Sequence, residues 1–248
     1  MSYTKKPKMI LFDVGGTLFN DGRCDPLAGF RGLISHADNP QVGDAGKMAK
    51  YWDELMDEMT TCNRSASGHS VDLLLYTLIK YAAMNCGLKF SISSARQEEL
   101  FDRYNSSREL TPGIVELIET LNEMGIRTAV ISNNMLSGES LALAVEHWLP
   151  QAKMEFCLTS ADLHLCKPWS GLFTTAAAFA GLDCADCWYC GDSIGPDVDG
   201  GRGAGMTPVY IDQASLVGLE YRTDGDREPF MTVNDWSELA KHLQSLEE

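Results

Sequence analysis

The stretch Ile10–Phe19, ILFDVGGTLF, sets the reading of the whole chain. An apolar run stops on a carboxylate, Asp13, and two glycines and a hydroxyl follow at once. A buried strand that ends this way reads as a reactive acid held on rigid backbone, with glycine letting the main chain come close to a ligand.

Around this stretch, strands alternate with helices. Lys8 to Asp13 makes the first strand. Pro112 opens a helix whose apolar positions Ile114, Leu117, Ile118, Leu121 and Met124 follow helical spacing, with Gly125 placed to end it. Ile126 to Ser132 reads as a buried strand, Leu141 to Trp148 as a helix and Met154 to Leu158 as a strand. Ser170 to Ala180 is helical, Trp188 to Cys190 and Pro208 to Ile211 are strands, and a last helix starts near Asp235. This order predicts an α/β fold, a parallel sheet covered on both faces.

About ninety residues between the first strand and the Pro112 helix show no strand character. Met48, Trp52, Leu55, Met56 and Met59 form one helical stripe, and Val71, Leu74, Leu75, Leu78 and Ala82 another. Leu100, Phe101 and Tyr104 suggest a third. Such stripes predict an all-helical insertion over the sheet edge, packed through its apolar faces.

Composition excludes several partners. The 248 residues carry a formal net charge of −15. A nucleic acid or an anionic membrane would repel such a chain, and no basic patch is visible. No stretch approaches the ~18 apolar residues of a membrane span, and the N-terminus MSYTKKPKM lacks a signal-peptide core. The expectation is a cytoplasmic monomer or homodimer with reduced cysteines. Cys184, Cys187 and Cys190 have metal-like spacing, but on a strand residues three apart point to opposite faces. They read as small buried hydrophobes.

In an open parallel sheet, ligands bind beyond the carboxyl ends of the strands. The polar residues there form a set: Asp13 and Thr17, then Ser132-Asn133-Asn134, then Lys167-Pro168, then Gly191-Asp192-Ser193 with Asp197 and a glycine-rich run to Met206. These segments, "DVGGTLF", "VISNN", "CKPWSGLF" and "YCGDSIGPDVDGGRGAGM", resemble in order and spacing the four motifs of the haloacid dehalogenase-like hydrolase superfamily. The resemblance implies a Rossmann-like, doubly wound core of residues 1–20 and 109–248. Residues 21–108 would form a helical cap of the C1 type, inserted between the first two motifs.

The same resemblance implies roles. Asp13 would attack phosphorus and form an aspartyl-phosphate, dividing one hard displacement into two easier ones. Mg2+ would be held by Asp13, the main-chain carbonyl of Gly15 and Asp192, with Asp197 completing the acidic shell or orienting a metal-bound water. Lys167 would offset negative charge, while Thr17, Ser132 and the N–H of Asn133 would donate to the phosphoryl group. The substrate would be a small phosphorylated metabolite.

Gly15 departs from the family pattern. Most of its phosphatases place a second aspartate there as general acid and base, a function typically worth ~100- to 10,000-fold in rate. A dehalogenase-like enzyme also lacks that acid, but "GDSIGPD" keeps a metal-binding carboxylate that such enzymes lack. Carbon–phosphorus cleavage would need a cap lysine, with Lys47, Lys50 and Lys80 as candidates. A weakly catalytic binding or regulatory member is the remaining alternative. Substrate choice would lie in the polar segment Thr61–Ser70, TCNRSASGHS, read as a loop. There Arg64 could hold an anion and His69 could supply a proton, against the plainer reading of a solvated connector.

Overall fold

The computed structural model describes the backbone of residues 3–65 and 73–246, and the side chains of residues 3–58 and 73–246. Strand β1 (Met9–Phe12) is buried at every position. Two faces explain why: Ile10 and Phe12 join one apolar core, and Met9 and Leu11 join another. The period of two along a strand thus sends alternate residues into separate helical layers.

After β1 the chain enters strand β2 (Phe19–Cys24) and helix α1 (Pro26–Ile34), which Asp25 caps by accepting from the N–H of Ala28. Helices α2 (Ala45–Ser65), α3 (Leu75–Cys86) and α4 (Ser94–Asn105) follow. Gly87, at φ 70°, closes α3, and Ser93 caps α4. Strand β3 (Ser106–Leu110) then pairs antiparallel with β2, so a two-stranded ribbon leads into and out of the helical insertion. The insertion is therefore not all-helical, as the sequence had suggested. The expected boundaries at 20/21 and 108/109 fall inside this ribbon. Its strands are polar and largely exposed, so they lack the alternation that betrays a half-buried strand.

Inside the insertion, Phe30 of α1, Trp52 of α2 and Phe101 of α4 meet. The Phe30 and Phe101 rings are 4.7 Å apart edge to face, and Trp52 stacks on Phe101 at 5.0 Å. Contacts of this kind contribute roughly 0.5–1.5 kcal/mol each beyond area burial. The stripe Met48, Trp52, Leu55 and Met56 does face this interior. Helix α2 continues through Ser65, so the first half of the expected Thr61–Ser70 loop is helical; the second half lies outside the described residues.

Beyond the ribbon come α5 (Ile114–Glu123), β4 (Arg127–Ser132), α6 (Gly138–Trp148), β5 (Met154–Thr159), the short turn α7 (Ser160–Leu163) and α8 (Ser170–Phe179). Helix α5 begins at Ile114 rather than Pro112, because Gly113 at φ 72° turns the chain against Asp235. Strand β6 (Cys187–Gly191) leads into a π-helical turn at Ile194–Asp199 and the short α9 (Gly200–Gly203). Strands β7 (Thr207–Ile211), β8 (Glu220–Arg222) and β9 (Phe230–Val233) precede α10 (Trp236–Ser245), capped by Asp235.

The seven-stranded sheet has the order β5-β4-β1-β6-β7-β9-β8, parallel except for β8. Strands β8 and β9 add an edge that the sequence reading did not foresee. Connections run outward from β1 in one direction through β4 and β5, and in the other through β6 and β7. That reversal opens a crevice at the carboxyl ends of β1 and β6. Cys187 lies in one core and Cys190 in the other, as the strand period requires. Burial pushes the Cys187 thiol up to about 11 and the Cys190 thiol well above the ordinary range, so both act as inert hydrophobes.

Candidate active site

The crevice at the ends of β1 and β6 gathers Asp13, Lys167, Asp192 and Asp197, four of the charged residues that the sequence singled out. Asp13 follows the last residue of β1, and its N–H donates to the Cys190 carbonyl at 2.9 Å. Its carboxylate is half-buried, with Oδ1 2.9 Å from the Lys167 ammonium. Asp192 follows β6, and Asp197 lies in the π-helical turn just beyond. The carboxylates of Asp13, Asp192 and Asp197 each offer an oxygen within 4.8 Å of the others.

Lys167 is the centre of this group. Its side chain is 2% exposed, and its ammonium donates to Asp197 Oδ1 at 2.6 Å and to the Tyr189 hydroxyl at 3.0 Å. The Tyr189 hydroxyl in turn donates to the Ile131 carbonyl at 2.7 Å. Burial works against the Lys167 charge, but the carboxylates of Asp13 and Asp197 outweigh it and hold the ammonium above the ordinary lysine value. Burial first, and then the negative charges of Asp197 and Asp13, hold Tyr189 well above the ordinary tyrosine range, so it remains a neutral phenol.

The three acids differ. Burial pushes Asp197 up to about 6, with Lys167 pulling down and Asp13 pushing up. Both Asp197 oxygens are engaged, Oδ1 by Lys167 and Oδ2 by the N–H of Ser193 at 2.9 Å. Asp192 is raised by burial and then by the neighbouring charge of Asp13. Its carboxylate rests against Gly16, where a Cβ would overlap it.

The remaining expected residues surround this centre. Thr17 is fully buried, and its hydroxyl has no hydrogen-bond partner among the described residues. Ser132 is buried at the end of β4. The Asn133 side chain grips the main chain of Lys167, accepting from its N–H at 2.8 Å and donating to its carbonyl at 3.3 Å. Gly15 is half-buried and bridges to Phe19. Arg64 lies near the end of α2 with its side chain outside the described residues, and His69 lies outside the described residues altogether.

Some residues that shape the site carried no motif signal. Trp236, fully buried on α10, donates its indole N–H to the Thr17 carbonyl at 2.8 Å, and the Thr111 hydroxyl donates to the same carbonyl at 2.6 Å. Gln213 donates to the Gly16 carbonyl at 3.1 Å and exchanges hydrogen bonds with Asn20 at 2.8 and 2.9 Å. Together they fix the turn that follows Asp13. Trp236 can be read from the sequence as an apolar position of the last helix, with Leu239, Ala240 and Leu243, but nothing local ties it to the turn after Asp13.

Residues 7–205 match the family described as haloacid dehalogenase-like hydrolase. The chain belongs to this family. A glyceraldehyde 3-phosphate phosphatase of Methanopyrus kandleri is 24% identical over 118 residues, which cover 46% of this chain and 48% of that protein. The match thus spans about half the length of that curated relative. A 2-haloacid dehalogenase from Pseudomonas syringae pv. Tomato DC3000 superposes with a TM-score of 0.55 at 19% identity, covering 96% of this chain and 98% of that one. A HAD phosphatase from Thermococcus onnurineus gives 0.54 at 17% identity, covering 98% and 100%. The fold is therefore shared by hydrolases of both chemistries, and the sheet, its crevice and its flanking helices are those of a haloacid dehalogenase-like hydrolase. No described helix is long and apolar enough to cross a membrane.

Proposed function

We propose that this hydrolase is a magnesium-dependent phosphatase acting on a small phosphorylated metabolite through Asp13. The observation that carries the reading is the convergence of Asp13, Asp192 and Asp197, of which Asp13 and Asp197 pair with one buried ammonium. The donor set suits Mg2+, because every atom it offers is a hard oxygen and one oxygen of each of the three carboxylates lies within 4.8 Å of the others. Asp13, the Gly15 carbonyl and Asp192 would hold the ion, with Asp197 beside them positioning Lys167. When bound, the ion would supply positive charge against the phosphoryl oxygens.

The protein's own groups account for the rest. Asp13 sits at a strand end whose main chain is anchored through Cys190, and Lys167 holds its carboxylate at 2.9 Å, which orients it for attack. Lys167 offsets the charge gathered when a phosphoryl group meets three carboxylates. The unpartnered Thr17 hydroxyl and the buried Ser132 hydroxyl are available as donors to phosphoryl oxygens. The helical insertion, entered and left through the ribbon, would act as the cap that screens this crevice from water.

Two rival readings have less support. A metal-free dehalogenase has no use for Asp192 between Asp13 and Gly16, where its charge only opposes that of the nucleophile. A Schiff-base mechanism needs a desolvated cap lysine. Lys47, Lys50 and Lys80 are all exposed, and Lys50 pairs with Glu54 at 3.8 Å.

Turnover of 4-nitrophenyl phosphate should require magnesium and vanish in Asp13→Asn, with no halide released from 2-haloacids. Undiminished turnover in Asp13→Asn, or metal-independent halide release by the native protein, would reject the reading.

A further inference from the structure

Gly15 cannot transfer a proton, yet the space beside it is not empty of acid. A Cβ built on Gly15 would lie 3.4 Å from Oδ2 of Asp21, the closest atom it would meet. Asp21 is six residues on, in β2, and reaches this position because the intervening turn doubles back. Gly15 bridges to Phe19, and the Gly16 N–H donates to the Phe19 carbonyl at 2.7 Å. Gln213 clamps both ends of that turn, at Gly16 and Asn20.

The carboxylate of Asp21 is oriented rather than loose. Arg108, opposite it on β3, donates from Nε to Asp21 Oδ1 at 2.8 Å. The guanidinium is itself held by two bonds to Asp102, at 2.5 and 3.0 Å, and the Arg108 side chain is only 6% exposed. Asp102 meets the arginine charge from the far side, so Arg108 aims Asp21 without being neutralised by it alone. Oδ1 is thereby engaged, and Oδ2, the oxygen facing Gly15, accepts no hydrogen bond from any described residue. An aspartate at position 15 would project its carboxylate oxygens about 2.4 Å from Cβ by standard side-chain geometry. Asp21 Oδ2 therefore lies roughly 1 Å beyond that reach.

We propose that Asp21, delivered by the ribbon, is the general acid and base that Gly15 lacks, an assignment that rests on the phosphatase reading above. In the first step an Asp13 carboxylate oxygen bonds to phosphorus and the bond from phosphorus to the leaving oxygen breaks. That oxygen keeps the electron pair and takes the proton of the Asp21 carboxylic acid. In the second step water attacks the aspartyl-phosphate and gives its proton to the Asp21 carboxylate. The bond from phosphorus to Asp13 breaks, releasing inorganic phosphate and restoring both side chains to their starting states. Gly15 then has a purpose: an aspartate there would stand against a carboxylate already in place.

The test compares magnesium-supported kcat for 4-nitrophenyl phosphate, whose phenol leaves without a proton, and for an alkyl phosphate, whose alkoxide does not. Asp21→Asn should lower alkyl-phosphate turnover on the order of 100-fold or more and aryl-phosphate turnover far less. Adding Gly15→Asp to that variant should restore a large part of the alkyl-phosphate activity. Equal losses on both substrates, or no loss on the alkyl phosphate, would overturn the assignment of Asp21 while leaving the phosphatase reading standing. Absence of Asp13-dependent hydrolysis of either ester in the native protein would overturn both.

Discussion

Gly15 and Gly16 are adjacent and identical in sequence, yet the structure asks different things of them. Gly16 holds φ at 66°, and any Cβ would fall on the Asp192 carboxylate, so both backbone and packing demand glycine there. Gly15 has ordinary room for a Cβ, whose nearest neighbour would be Asp21 Oδ2 at 3.4 Å. Gly16→Ala should therefore push Asp192 out of the acidic group and lower magnesium affinity by about 10- to 100-fold, the range seen when the support of a metal ligand is lost. Isothermal titration with magnesium checks this, and an affinity equal to the native one would show that Asp192 is not held by Gly16. The doubled glycine was legible in the sequence as a close approach of main chain to ligand. Which glycine faces which acid was not, because Asp21 and Asp192 reach this turn from separate strands.

At the scale of elements, the insertion is tied to the core by one buried acid. Glu98 of α4 accepts from the N–H of Tyr76 at the start of α3, at 2.8 Å, and from the N–H of Ser137 at the start of α6, at 3.2 Å. The Ser137 hydroxyl donates to it as well. A carboxylate at two helix N-termini is favourably placed, but burial still dominates and raises Glu98 above the ordinary 4.5. Between 4.5 and the raised folded value, the native state binds more protons than the unfolded chain. The contribution of Glu98 to stability is thus fully present below that window and is lost as pH rises through it. Glu98→Gln keeps the shape and cannot titrate. The stability difference, native minus variant, should fall as pH rises from about 4.5 and then level off, read from urea midpoints across the window. A flat difference would exclude Glu98 as the titrating group. The sequence did give the stripe on α4 through Leu100 and Phe101, since apolar spacing is local. It could not give the Glu98 contact, whose partners lie 22 and 39 residues away. Helix α1 was missed even though Asp25-Pro26 is a cap followed by proline at the first helical position.

On the scale of the molecule, Lys167 is the junction of the core. Its ammonium meets Asp13 after β1, Tyr189 in β6 and Asp197 in the turn beyond, while Asn133 after β4 grips its main chain. Removing it leaves acids facing one another with no cation between them. Lys167→Ala should abolish phosphatase turnover and destabilise the metal-free protein by about 3–5 kcal/mol, the usual result of deleting one member of a buried charge group. Saturating magnesium should recover part of that loss, because a cation bound only by the folded state shifts the equilibrium toward it. Urea unfolding with and without magnesium measures both effects. A variant as stable as the native protein would mean the acids are relieved by water rather than by Lys167.

By itself the sequence determined the alternating strands and helices, the two-faced burial of β1, β4 and β6, and the identity of the charged residues at the strand ends. Each of these is a local pattern, set by side-chain period or by a motif a few residues long. Only the tertiary structure decided that β2 and β3 pair into a ribbon, because two short polar strands acquire a reason to be strands only when they find each other across more than eighty residues. It likewise decided that β8 and β9 extend the sheet, and that Trp236, Thr111 and Gln213 hold the turn after Asp13. The same pairing aims Asp21 at Gly15 through Arg108. A carboxylate's chemistry is written in its residue type, but its neighbours are set by where the chain returns.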